Sequence, residues 1–166
     1  MSSLALRGWY PATGLLVPLL TLASPGFLKL GDAGPAWAVL WLLPWALVDG
    51  ARSGVLAGLL LGLVLDGLHL GPISQIPALM LLGWWWGRMG RKGLPIERSF
   101  SLGLLALLGS AFVGLTLILQ LAVVGELQGP VLYTWLGQTL LTALLAPMVC
   151  SLQLLLWRQQ VSGGRR

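Results

Sequence analysis

Long apolar runs separated by short polar turns occupy nearly the whole chain. None of the runs carries a continuous polar face, a pattern typical of helices surrounded by other helices or by lipid. We predict an all-α polytopic membrane protein with one transmembrane domain over residues 1–166, whose last residues, 158–166, form a flexible basic tail. The predicted spans are 9–28, 35–48, 51–70, 72–87, 99–124 and 131–157. The second run is short, so it crosses with little tilt or only in part.

Prolines lie inside three of these runs. Pro18, Pro44 and Pro147 are predicted to kink the first, second and sixth helices, because proline lacks the N–H that an interior helical position donates. The pair Gly71-Pro72 is predicted to end the third helix for the same reason.

The third run has the most regular pattern. Between Asp49 and Pro72 it reads D-G-A-R-S-G-V-L-A-G-L-L-L-G-L-V-L-D-G-L-H-L-G-P. Every fourth residue is a glycine, at positions 50, 54, 58 and 62, and the next step is Asp66. Such positions share one helix face, and glycines there let another backbone approach closely. We interpret this run as the central helix of the bundle, packed against a helix of this chain or of a partner. The predicted packing or partner-contact residues are Gly54, Gly58, Gly62, Asp66 and Gly71.

Composition supports the membrane interpretation. Hydrophobic residues make up 57% of the chain and charged residues 9%, against about a quarter charged in soluble domains. The net charge of +5 suggests nucleic-acid binding at first sight. However, the basic residues flank the apolar runs, where they orient membrane helices, so we expect no nucleic acid as a partner.

The distribution of basic residues also predicts the topology. With six spans and a cytoplasmic N-terminus, only Lys29 falls on the outer side. The inner side receives Arg7, Arg52, Arg88, Arg91, Lys92, Arg98, Arg158, Arg165 and Arg166. This asymmetry predicts that both termini and the 88–98 loop are cytoplasmic.

Tryptophans form two patterns. Trp37, Trp41 and Trp45 recur every four residues, which favours a lipid-facing or interfacial stripe and leaves open a binding wall for a flat ligand. The run Trp84-Trp85-Trp86 next to Arg88 predicts an aromatic belt at headgroup level.

Ionisable residues near the apolar runs are few. Asp49 and Arg52 are predicted to form an ion pair at the inner mouth of the third helix, or to contact the cytoplasmic loop or a partner. Asp66 follows Arg52 by 14 residues, about 21 Å along a helix. It is therefore either a buried anchor or ligand contact, with His69 one turn away, or an outer-interface residue.

Polar residues also interrupt the last two runs. Gln120, Gln138, Thr142 and Gln153 are expected to form hydrogen bonds between helices. The alternative is a polar cavity lined by Asp66, His69, Gln138 and Thr142.

Catalytic patterns are weak or missing in the sequence. The segment G-P-I-S-Q over 71–75 faintly resembles an intramembrane serine protease, but Ser74 is close to His69 in the chain and the G-x-S-x-G motif is absent. Cys150 is the single cysteine, and the spacing of acids and histidine fits no metal site. We expect no enzymatic activity, no catalytic residue, no cofactor and no metal.

The stretch G-V-L-A-G-L-L-L-G-L-V-L-D, followed by G-L-H-L-G and a fourth helix, resembles the bacterial rod shape-determining protein family MreD. Gly58, Gly62, Asp66 and Gly71 occupy the matching positions, and the chain length and the six predicted spans fit as well. The likeness covers about 25 residues; elsewhere it is one of hydropathy alone.

This resemblance implies a non-enzymatic scaffold in the bacterial inner membrane that maintains cell shape and helps position peptidoglycan synthesis. It implies an MreC-like protein as direct partner, with MreB, RodZ, RodA and its transpeptidase as indirect ones, and contact with membrane lipid. The implied fold is similar to the substrate-binding S-components of vitamin transporters. The alternative function is therefore a transporter subunit that binds a small molecule.

Overall fold

The chain is almost entirely helical in the part that the computed structural model describes, which comprises residues 11–23, 34–68, 73–90, 99–125 and 129–163. A 3-10 turn, Pro11–Leu15, precedes the first α-helix. The α-helices are α1 (Leu16–Ala23), α2 (Trp37–Asp49), α3 (Ala51–Leu68), α4 (Ile76–Gly90), α5 (Ser99–Val124) and α6 (Gly129–Gly163). The predicted all-α class is thus confirmed for these residues.

Three differences between the observed and the predicted helices concern Pro18, the start of α4 and the end of α6. Pro18 lies in the first turn of α1, where a missing N–H costs little, and does not interrupt a longer helix. α4 begins at Ile76 rather than at residue 72, because polar side chains cap its first turn as described below. α6 contains Pro147 in its interior and continues to Gly163, into the segment predicted as a tail.

Two antiparallel hairpins flank a central helix. α3 packs mainly against α4 and α5 mainly against α6, while α2 contacts all four. Our prediction that α3 is central was wrong, because every residue from Ala38 to Leu47 of α2 is buried. α2 has apolar side chains all round, which is consistent with a helix that is surrounded by other helices. α3 is glycine-lined on one side and exposes leucines such as Leu60 on the other.

The tryptophans of α2 lie inside the protein. Trp41 is 6% and Trp45 3% exposed, so the predicted lipid-facing stripe was wrong for both. Their rings stack with centroids 5.0 Å apart. Trp41 Nε1 donates a hydrogen bond to Thr13 Oγ1 (2.9 Å) and Trp45 Nε1 donates to Ser53 Oγ (3.0 Å). These bonds satisfy the indole N–H groups that burial removes from solvent.

The predicted aromatic belt is only partly present. Trp84 and Trp85 are exposed, and the Arg88 guanidinium lies over the Trp84 ring at 5.6 Å from its centroid. Trp86, by contrast, is fully buried. Consecutive helical residues point about 100° apart, so three in a row do not share one face.

Among the described residues, three helical segments are long and apolar enough to cross a membrane: Ala51–Leu68, Ser101–Val124 and Gly129–Leu156. α2 has 13 residues and is about 20 Å long, less than the hydrocarbon thickness of about 30 Å. The described residues thus form an all-helical structure with three candidate membrane spans.

Candidate functional site

The glycine stripe of α3 lies directly against the backbone of α4. A Cβ added at Gly54, Gly58 or Gly62 would lie less than 3 Å from backbone atoms of α4. At Gly58 the obstructing atoms are the carbonyl of Leu79 and the amide nitrogen of Met80. These glycines therefore contact a helix of the same chain, which was one of the two alternatives for the stripe.

α4 contributes a second set of glycines, which we did not predict. Gly83, Gly87 and Gly90 approach the backbone of α3 and of the end of α2 so closely that none has room for a Cβ. Their spacing of four and three residues in the sequence G-W-W-W-G-R-M-G, residues 83–90, puts them on one helix face. That spacing was visible in the sequence, but the three tryptophans beside it suggested a lipid belt instead.

Asp66 ends the stripe and caps α4. The Ser74 hydroxyl donates a hydrogen bond to Asp66 Oδ2 (2.6 Å), and the Gln75 N–H donates to Oδ1 (2.8 Å). The Ile76 N–H in turn donates to Ser74 Oγ (3.3 Å). The first N–H groups of a helix have no intrahelical acceptor and carry partial positive charge, so a carboxylate there stabilises the helix end.

Gln120 of α5 binds the same capping residue. Its Oε1 accepts a hydrogen bond from the Ser74 N–H (2.8 Å), and its Nε2 donates to the Ser74 carbonyl (3.0 Å). We expected Gln120 to bond another helix, and it instead bonds the residue that caps the start of α4. Asp66 and Gln120 meet at Ser74, so the network joins α3, α4 and α5 at one end of the bundle.

Thr142 makes a second polar contact between helices. It is fully buried, donates a hydrogen bond to the Gln138 carbonyl (2.6 Å) and accepts one from the Ala36 N–H (2.9 Å). The contact holds α6 against the start of α2, where the first N–H groups need acceptors. Asp66 and Thr142 thus bind different helix ends and are not hydrogen-bonded to each other. His69, the fourth residue of the predicted cavity, and Gly71 lie outside the described residues.

The predicted inner-mouth pair flanks a sharp turn. Asp49 is the last residue of α2 and is half-buried, whereas Arg52 lies in the first turn of α3 and is exposed. Between them Gly50 has φ +94°, a conformation that favours glycine. The Asp49–Arg52 ion pair stays a prediction.

The glycines of α5 make room for large side chains. An added Cβ at Gly109 would collide with the indole of Trp86, and one at Gly114 with the indole of Trp135. Gly103 lies opposite the Pro147 ring of α6. Sequence reasoning gave these glycines no role, because their partners come from distant segments.

Replacing Thr142 with valine is expected to lower the free energy of unfolding by about 1–2 kcal/mol, because the Ala36 N–H loses its acceptor. Thr134→Val is the matched control on α6. Thr134 is exposed, and its hydroxyl bonds only the Pro130 carbonyl of its own helix. A detergent titration measures the free energy of unfolding of both variants. If the two variants lost equal stability, the hydrogen bond between Thr142 and α2 would contribute nothing.

Comparisons with known proteins complete this description. Within the described ranges, no group of three or more His, Cys, Asp or Glu residues is placed to hold a metal ion. The chain matches no protein-family model, no curated protein and no solved structure.

Proposed function

We propose that this protein is a non-enzymatic scaffold of the bacterial inner membrane that resembles MreD, binds an MreC-like partner and helps maintain cell shape. The observation that carries the proposal is the use of the polar side chains. Asp66, Gln120 and Thr142 bind helix ends of the same chain. Polar groups engaged in this way fix the bundle and are not free for substrate chemistry.

The proposed membrane arrangement has six spans and two cytoplasmic termini. It rests on the one-sided distribution of basic residues and on the alternating direction of consecutive helices. Through the MreC-like protein, the scaffold would be linked to MreB, RodZ, RodA and its transpeptidase, and so to the insertion of peptidoglycan.

A second candidate, a small-molecule-binding subunit of a transporter, has one observation in its favour. A groove of about 420 Å³ lies between α1, α2 and α3, within the size range of small-ligand sites. Its lining is apolar except for Ser53, whose hydroxyl already accepts the Trp45 N–H. Vitamin-like ligands need several convergent polar groups, so the size of the groove fits a transporter subunit but its apolar lining does not.

Depletion of the protein in a rod-shaped host tests the proposed function. We expect depleted cells to become round, and a plasmid copy carrying Gly67→Ala to restore the rods. The same copy carrying Gly58→Leu should fail, since the α3–α4 contact would be lost. Depleted cells that stay rod-shaped but cannot import a vitamin would favour the transporter subunit.

The topology is tested with a single new thiol. Arg91→Cys is expected to react with membrane-permeant maleimide and to resist an impermeant one in intact cells, because the loop is cytoplasmic in the proposed topology. The native Cys150 is fully buried, so background labelling is low. Labelling of Arg91→Cys by the impermeant reagent would show that the loop lies outside the cell and would contradict the proposed orientation.

A further inference from the structure

A groove lies between α2, α3 and the segment formed by the 3-10 turn and α1. The stacked rings of Trp41 and Trp45 form one wall, and Gly14 and Pro18 lie opposite α3. The hydrogen bonds of the two indoles to Thr13 and Ser53 hold that wall in a fixed orientation. One side of the groove is open, since Leu56 and Leu60 on its rim are more than half exposed.

The length of the groove matches one leaflet of a bilayer. Its α3 wall is a single helical stripe that begins at Ser53 and ends at Val64, with Leu56, Ala57, Leu60 and Leu61 between them. Eleven helical steps correspond to about 16 Å. The hydrocarbon core is about 30 Å thick, so one leaflet contributes about 15 Å.

The two ends of the groove differ in polarity. Ser53 provides the polar lining side chain, at the end where α3 begins, and the exposed Arg52 precedes it in the chain. The lining at the other end is Val64. A polar, positively charged end followed by an apolar channel is complementary to an anionic phospholipid.

The volume excludes a helix as the occupant. An α-helix with its side chains is about 10 Å wide, so its cross-section is roughly 80 Å². A groove of about 420 Å³ would accommodate only about one turn of it. An acyl chain is slender enough to follow the groove along its whole length.

We propose that the groove between α1, α2 and α3 binds one acyl chain of an anionic phospholipid from the leaflet nearest Arg52, with the headgroup phosphate at the Arg52 guanidinium. The apolar lining provides the affinity, and Arg52 provides the preference for negative charge. The site is independent of the proposed scaffold function, because it is built from a different face of α3 than the glycine stripe.

Native mass spectrometry of the full chain in detergent tests the site, with dioleoyl phosphatidylglycerol and dioleoyl phosphatidylcholine as probes. We expect one retained phosphatidylglycerol and about fivefold weaker retention of phosphatidylcholine, the preference that one basic side chain at a membrane surface provides. Arg52→Gln should remove the preference while leaving lipid retention.

Variants that fill the groove provide the decisive comparison. Ala57→Phe on the floor and Leu60→Trp on the rim should each reduce phosphatidylglycerol retention at least fivefold. Leu63→Trp is the matched control, because Leu63 is also exposed on α3 but does not line the groove. Equal retention in wild type, Leu60→Trp and Leu63→Trp would overturn the proposal, as would a wild-type protein that retains no lipid or a second protein chain instead.

Discussion

Replacing Gly58 with alanine is expected to lower the free energy of unfolding by about 1–3 kcal/mol, although alanine is the better helix former by about 1 kcal/mol. The new Cβ meets the Leu79 carbonyl and the Met80 amide nitrogen of α4. Those are backbone atoms, so no side-chain rotation relieves the collision. The helices would have to separate along their length, which also weakens the contacts at Gly54 and Gly62.

Gly67→Ala is the matched control for this substitution. Gly67 lies on α3 as well, but a Cβ there meets nothing within 4 Å. The control should therefore be neutral or slightly stabilising, through helix preference alone. Detergent-induced unfolding followed by tryptophan fluorescence measures both variants. If Gly58→Ala were as stable as Gly67→Ala, the close α3–α4 contact would be refuted.

Replacing Asp66 with alanine is expected to cost about 2–3 kcal/mol and to fray the start of α4. Two donors, the Ser74 hydroxyl and the Gln75 N–H, lose a charged acceptor. Hydrogen bonds to charged groups contribute about 1.5–3 kcal/mol each. Asp66 is only half-buried, so in the variant water can take the place of the carboxylate as acceptor and recover part of that energy. Asp66→Asn keeps an acceptor oxygen but no charge, so its loss should be intermediate.

Two measurements check the Asp66 variants. Hydrogen exchange at the amides of Gln75 and Ile76 should accelerate in Asp66→Ala, because these amides belong to the capped turn. A double-mutant cycle with Gln120→Ala should be non-additive by about 0.5–3 kcal/mol, since both residues act on Ser74. Additive losses with unchanged exchange would mean that Asp66 does not hold the end of α4.

The helical class and most helix positions follow from the sequence, because hydropathy determines where an apolar run starts and stops. α5 was predicted to the residue, as 99–124. The start of α4 was not, because it depends on Asp66 and Gln120, which come from other segments. Local patterns do not reveal caps that are supplied by tertiary contacts.

The arrangement of the helices was harder to predict than their positions. The period of four in α3 indicated a packing face, but the sequence did not say which helix covers it. The same period in the tryptophans of α2 suggested lipid, yet Trp41 and Trp45 are buried. In a membrane protein both lipid and protein interior are apolar, so hydrophobicity alone does not separate an outward face from an inward one.

The most direct test of the scaffold proposal is affinity purification of the tagged full chain from native membranes in mild detergent, followed by mass spectrometry. The account predicts that an MreC-like protein and cell-wall synthesis proteins co-purify with the wild type and with Gly67→Ala, and are lost with Gly58→Leu. Recovery of an ATPase module with a transmembrane coupling subunit, in place of the cell-wall proteins, would contradict the account and identify the protein as a transporter subunit.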